Sequence, residues 1–177
     1  DDFVCRMIES IGVQPRRIVE VGCSNGYRLE YLRQKFHAVC YGYDISNEAI
    51  EAGCDAFPEI HLKPKALHEI PYDKSFDLVI CNFVLHWVDR SLLVQSMSRI
   101  DALVRRGGTL VIGDFDPDYQ QKRKYHHLPD EEVYTYKQDY TAFFKATGLY
   151  RETAVFTFDH DKQTYGYAPS EARGMCA

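Results

Sequence analysis

No apolar run in this 177-residue chain approaches the roughly 20 residues that a membrane-spanning helix needs. Its first residues, Asp1-Asp2-Phe3, lack the basic and apolar blocks of a signal peptide. A soluble, cytoplasmic protein without a membrane partner is therefore the expectation. Cysteine is present but unpatterned: Cys5, Cys23, Cys40, Cys54, Cys81 and Cys176 form neither a CxxC pair nor a zinc spacing, and the apolar neighbours of Cys40 and Cys81 suit reduced core thiols. A basic arm is missing too. Residues 1–114 carry 13 basic and 16 acidic side chains, residues 115–177 carry 8 and 10, and the formal charge is −5. Arg16-Arg17, Arg105-Arg106 and Lys122-Arg123-Lys124 read as solvated patches, which argues against nucleic acid as a partner. The numbering starts without an initiator Met, so an N-terminal element is expected to be absent.

What is there fits one domain over residues 1–177. A chain of about 150 residues buries roughly 70% of its unfolded surface, and 45% of these residues are apolar. Ile18 to Val21 reads as a strand that runs into the glycine loop Gly22-Cys23-Ser24-Asn25-Gly26, and Leu29, Leu32 and Phe36 then mark one face of a helix. Ala38 to Tyr43 is a second strand stopping at Asp44, and Ser46 caps a helix through Ala52. A short strand at Ile60 to Leu62 precedes a buried one at Phe76 to Cys81. Leu93, Met97, Ile100 and Val104 mark a helix expected to end at Gly107-Gly108, before a strand at Thr109 to Ile112. This alternation predicts an α/β fold with a doubly wound parallel sheet and helices on both faces, its ligand lying at the carboxyl ends of the strands. Residues 115–138 lack periodicity and read as a long loop. Tyr140 to Thr147 follows as a helix, with extended segments near Thr153 to Phe158 and within 163–177.

A glycine loop between strand and helix lets backbone N–H groups approach a ligand at the positive end of the helix dipole. Asp44, 18 residues beyond Gly26, suits the two hydroxyls of a ribose. Glu20 beside the loop would repel a pyrophosphate but suits an ammonium and a sulfonium. Here Val19-Glu20-Val21-Gly22-Cys23-Ser24-Asn25-Gly26 and Tyr41-Gly42-Tyr43-Asp44-Ile45-Ser46 resemble the first two motifs of the class I S-adenosylmethionine-dependent methyltransferases, of the small-molecule type called methyltransferase type 11. The likeness continues through Phe76-Asp77-Leu78-Val79, Asn82-Phe83-Val84-Leu85-His86-Trp87 and Arg106-Gly107-Gly108.

The resemblance implies a Rossmann-like, mostly parallel seven-stranded sheet with an antiparallel strand near the C-terminus. It implies a cofactor half over about 15–115, an acceptor or lid region over about 115–177, and S-adenosylmethionine as cofactor with S-adenosylhomocysteine as product. By position, Glu20, Gly22, Cys23, Ser24, Asn25 and Gly26 would hold the methionine part, Asp44 the ribose and Ile45 one face of the adenine. Asn82, with Phe83 beside it, would offer its backbone carbonyl to the adenine amino group. Ala66 stands where relatives often place an Asp, so that contact passes to Ala66, Leu67 and His68. Among histidines, His86, His126 and His127 are the candidate general bases. The absence of an acidic cluster near residue 82 argues against a catalytic metal. Tyr134-Thr135-Tyr136 and Tyr140 combine rings with polar tips and suggest a small polar acceptor, a sugar or nucleotide-sugar of a surface-polysaccharide pathway. The alternatives are a nicotinamide-dependent oxidoreductase or epimerase and a non-catalytic cofactor-binding relative. Oligomeric state is not readable from the sequence.

Overall fold

The computed structural model describes residues 2–73, 75–125, 130, 132–166, 168–170 and 172–177. The chain divides into two compact units, one of Gly12–Cys81 and Arg90–Val111, the other of Asp1–Ile11, Asn82–Asp89 and Ile112–Ala177.

In the first unit, β1 (Arg17–Val21) is buried at Ile18, Val19, Glu20 and Val21. Burial without alternation is the mark of a strand covered on both faces. β1 pairs in parallel with β2 (Val39–Asp44) and with β4 (Phe76–Asn82), and β2 pairs in parallel with β3 (His61–Pro64). β5 (Val104–Phe115) lies beyond β4, so the strand order here is β3-β2-β1-β4-β5. Helix α2 (Tyr27–Phe36) buries Leu29 and Leu32, two of the three positions that the helical spacing selects, while Phe36 at its last residue is only half-buried. Helix α3 (Asn47–Ala56) starts under the Ser46 hydroxyl, which accepts the Ala49 N–H at 3.1 Å. It runs four residues past the expected Ala52. Helix α4 (Arg90–Asp101) buries Ser96, Met97 and Ile100.

The chain leaves α4 earlier than Gly107-Gly108 suggests. Leu103 N–H bonds Ile100 O at 3.1 Å and its own carbonyl accepts the Phe76 N–H at 3.2 Å, so Val104 enters β5 and the glycine pair lies within that strand. Asp77 on β4 ties down the entry to β1, accepting the Arg16 and Arg17 N–H groups at 2.8 Å each and the Arg105 guanidinium. Burial pushes its carboxyl up, but Arg105 and the two N–H groups outweigh this and hold it below the usual carboxylate value.

In the second unit, α1 (Phe3–Ser10) is capped by Asp2, whose carboxylate accepts the Cys5 N–H at 3.0 Å, and buries Phe3, Val4, Cys5, Met7 and Ile8. The end of β5 pairs antiparallel with β10 (Arg173–Cys176), β10 with β8 (Phe156–Asp159), and β8 with β9 (Thr164–Tyr165). The mostly parallel sheet with an antiparallel C-terminal part is as expected. Its strands number eight rather than seven, because the short turn after Asp159 lets β9 fold back on β8. The stretch read as a long loop contains a hairpin, β6 (Gln121–Lys124) against β7 (Tyr134–Lys137). It escapes hydrophobic patterning because β6 reads Gln-Lys-Arg-Lys. Its antiparallel register is accompanied by a cross-strand contact, the Lys122 ammonium lying 3.9 Å from the centre of the Tyr134 ring. Helix α5 (Thr141–Ala146) closes the unit, its first N–H groups held by Asp139. No helix among the described residues is long and apolar enough to cross a membrane.

Candidate functional site

The first unit assembles its candidate site from backbone at the carboxyl ends of β1, β2 and β3. Gly22 (φ 72°), Ser24 (φ 50°) and Gly26 (φ 78°) all turn through left-handed conformations, which glycine adopts without steric cost and serine does not. The loop is fastened to β2: the Gly22 and Cys23 N–H groups donate to Tyr43 O at 2.7 and 3.1 Å, and the Ser24 N–H donates to Asp44 Oδ2 at 2.7 Å. Asp44 Oδ1 accepts the Ser46 N–H at 2.9 Å. Gly53 on α3 lets the loop pass closely, since a Cβ there would stand 2.4 Å from Asn25 O. Ile45 is 77% exposed. Lys65 N–H donates to Asp44 O at 2.8 Å, which brings Ala66 and the single 3₁₀ turn of Leu67, His68 and Glu69 to the end of β2. Glu20, the loop, Asp44, Ile45 and Ala66 to His68 thus gather in one unit.

Two details of this loop go beyond the sequence reading. Glu20 is fully buried and pairs with the Arg28 guanidinium from α2. The site next to the loop therefore carries both signs of charge rather than a lone carboxylate. The Cys23 thiol is pushed well above its ordinary pKa by burial and by the charges of Glu20 and Asp44.

Asn82, Phe83 and His86 belong to the second unit. Phe83 has φ 55°, an uncommon conformation for a bulky residue, held by its N–H bond to Gly113 O at 2.7 Å. His86 is 4% exposed, with Nδ1 2.9 Å from Asp114 Oδ1. That approach is at ion-pair distance without the alignment of a hydrogen bond. Asp114, also 4% exposed, accepts the His86 N–H on Oδ2 at 3.2 Å and the Phe115 N–H on Oδ1 at 2.8 Å. His160 stands against Phe83 and Phe115, ring centroids 4.7 and 5.0 Å apart. Burial first, then Lys137 and His86, push its pKa below the ordinary value, against the opposing charges of Asp161 and Asp114. His126 and His127 lie outside the described residues. Arg28, beside Glu20, and Asp114 and His160, beside His86 and Phe83, are not singled out by the sequence. A carboxylate that ends β5, as Asp44 ends β2, was the one signal available for Asp114.

A parallel sheet with a glycine loop after its first strand and an acidic residue ending its second is the arrangement of the class I S-adenosylmethionine-dependent methyltransferases, and dinucleotide-binding sheets share it. The family model described as a methyltransferase domain matches residues 2–154, and the chain belongs to that family. Among curated relatives, a malonyl-[acyl-carrier protein] O-methyltransferase of Halalkalibacterium halodurans is 23% identical over 113 residues, or 59% of this chain and 41% of its own length. The chain thus spans about two fifths of that relative. Among solved structures, 1,6-didemethyltoxoflavin-N1-methyltransferase of Burkholderia thailandensis, with bound 1,6-didemethyltoxoflavin and S-adenosylhomocysteine, superimposes with a TM-score of 0.75 at 14% identity, covering 98% of this chain and 75% of that one. The N-methyltransferase NodS of Bradyrhizobium japonicum, in complex with S-adenosylhomocysteine, gives 0.70 at 18%, covering 98% and 81%. At these identities the likeness is one of fold.

Proposed function

We propose that this chain transfers a methyl group from S-adenosylmethionine to a small polar acceptor. The observation that carries the reading is the bond from the Ser24 N–H to Asp44 Oδ2, which fastens the glycine loop to a carboxylate at the end of the next strand. Each Asp44 oxygen takes one backbone N–H and keeps a second acceptor position, which suits a pair of ribose hydroxyls. Ile45 offers an apolar face to the adenine, and backbone groups of Ala66 to His68 in the same unit would serve its edge. The Glu20–Arg28 pair complements a zwitterion: the carboxylate suits the ammonium of the methionine part, and the guanidinium suits its carboxylate.

Glu20, Arg28 and Asp44 would hold a donor that would supply a methyl carbon on a positively charged sulfur, the sulfur keeping the C–S electron pair on transfer. The protein's part is to exclude water and to receive the proton that the acceptor loses as its new bond to the methyl forms. His86, steadied by Asp114, is the group proposed to take it, with His126 and His127 as further candidates. The relative's O-methyltransferase activity supports an oxygen acceptor. Support for a sugar rests on the tyrosines, of which Tyr140 is buried with its hydroxyl donated to Tyr136 O. That leaves the half-buried rings of Tyr134, Tyr136 and Tyr125, the last packed edge-on against the half-exposed Trp87, to stack on one.

Calorimetry with S-adenosylhomocysteine and with NAD tests the donor. Binding of the first and not of NAD is expected, and the reverse would overturn the reading. A radiolabelled methyl-transfer screen over nucleotide-sugars, small acids and amines tests the acceptor. With a labelled acceptor in hand, His86→Asn is expected to cut turnover at least tenfold while S-adenosylhomocysteine affinity stays within about twofold.

A further inference from the structure

Four rings of the second unit meet one another: Phe83 with Phe115 at 5.1 Å between centroids, Phe83 with His160 at 4.7 Å, Phe115 with His160 at 5.0 Å, and His86 with Phe115 at 5.1 Å and Phe83 at 6.0 Å. Most of these contacts are steep, with interplanar angles of 81° between the two phenylalanines and 83° and 80° from His86 to each of them. Right-angled contact is the ordinary way aromatic rings pack, so it is the two imidazoles that ask for a further explanation. Two imidazoles in such a place are a poor choice for packing alone. Among the described residues, Nδ1 of His160 is buried with no hydrogen-bond partner, whereas buried polar atoms are ordinarily satisfied. Phe83 stays in its left-handed conformation at the centre of the group, and strain of this kind gathers at ligand sites. The Lys137 ammonium sits 3.5 Å from the centre of the Phe115 ring and adds positive charge.

We propose that His86, His160, Phe83 and Phe115 form the acceptor subsite and that it takes a planar, conjugated molecule bearing an acidic hydroxyl, such as a hydroxylated aromatic acid. This rests on the methyltransferase reading above and narrows its acceptor. A neutral imidazole offers one donor and one acceptor, so the pair matches a molecule with one or two oxygens on a flat ring. The four or five hydroxyls of a hexose would meet phenylalanine faces and go unpaired, which is costly in a closed site. Burial pushes the His160 pKa down, which favours the neutral ring that can accept a hydrogen bond. Lys137 favours an anion on the ligand. His160 is therefore a second acceptor-contacting imidazole beside His86.

Trp87, the one tryptophan of the chain, packs against His86 at 5.1 Å and reports on the subsite without any turnover. The full chain, with and without saturating S-adenosylhomocysteine, is titrated with 4-hydroxybenzoate and with UDP-glucose while Trp87 emission is followed. A saturable response to 4-hydroxybenzoate, weakened at least tenfold in His160→Gln with S-adenosylhomocysteine affinity within twofold, is the expected result. Imidazole resonances of His86 and His160 in the unsubstituted protein give a check that does not depend on the variant folding, and both are expected to shift on addition of 4-hydroxybenzoate. No saturable response, unchanged affinity in His160→Gln, unmoved His160 resonances or tighter binding of UDP-glucose would each overturn the proposal. Loss of S-adenosylhomocysteine binding alone would sink only the donor reading, because the acceptor titration is also run without it.

Discussion

In the first unit a candidate ligand site is made almost entirely of backbone: glycine conformations, N–H groups and the end of a strand, with Asp44 and the Glu20–Arg28 pair as its charged side chains. The second unit does the opposite, gathering side chains from segments far apart in the chain, with Phe83 and His86 before β5, Asp114 and Phe115 at its end and His160 after β8. The difference teaches how each part tolerates change. A backbone site depends on what may not be added, such as a Cβ at Gly53. A side-chain site depends on what may not be removed.

Substitutions sharpen this contrast, beginning with the largest expected loss. Phe76→Ala empties a fully buried position of the first unit and is expected to cost about 3–5 kcal/mol in urea unfolding. A loss below about 1 kcal/mol would mean that the strands of this unit are not its core. Asp44→Ala removes the carboxylate at the loop and should weaken S-adenosylhomocysteine binding roughly 10- to 100-fold by calorimetry. Unchanged affinity would sink the ribose assignment.

Asp77→Asn loosens the entry to β1 by about 1–2 kcal/mol at neutral pH. The folded pKa of Asp77 is depressed, so its contribution is complete above the unfolded value near pH 4 and is lost as pH falls through the folded one. Acid unfolding of the variant should accordingly be less steep below pH 4. His160 gives the smallest effect. Its folded pKa is also depressed, so the unfolded chain takes up the proton first, and stability falls as pH drops below about 6.5 toward the folded value. Melting curves from pH 7.5 to 5 should fall less for His160→Gln than for the unsubstituted chain, and parallel curves would contradict the assignment.

The same contrast explains what could be read in advance. β1, its glycine loop, β2 with Asp44 and the buried β4 declare themselves through local pattern: short apolar runs, glycine at a strand end and an acidic residue closing the next strand. Helix α1 was not anticipated, although Asp2 caps it and Phe3, Val4, Met7 and Ile8 follow helical spacing, because eight residues near a terminus give a weak signal. The β6–β7 hairpin hides behind a basic run. His160, in Asp159-His160-Asp161-Lys162, looks like any solvated turn, and Arg28 looks like any outward helical residue. Their partners, Phe83, Phe115 and Glu20, are supplied by folding and not by neighbours in the chain.

The buried thiol of Cys23 has a consequence for the protein's own survival. A donor with a methyl on sulfonium, if held by this loop as proposed, is an alkylating agent, and a thiolate is among the best nucleophiles a protein offers. Burial and the flanking charges of Glu20 and Asp44 keep Cys23 protonated. A cysteine in the proposed donor loop would thus escape methylation, and iodoacetamide should mark the exposed Cys54 while sparing Cys23.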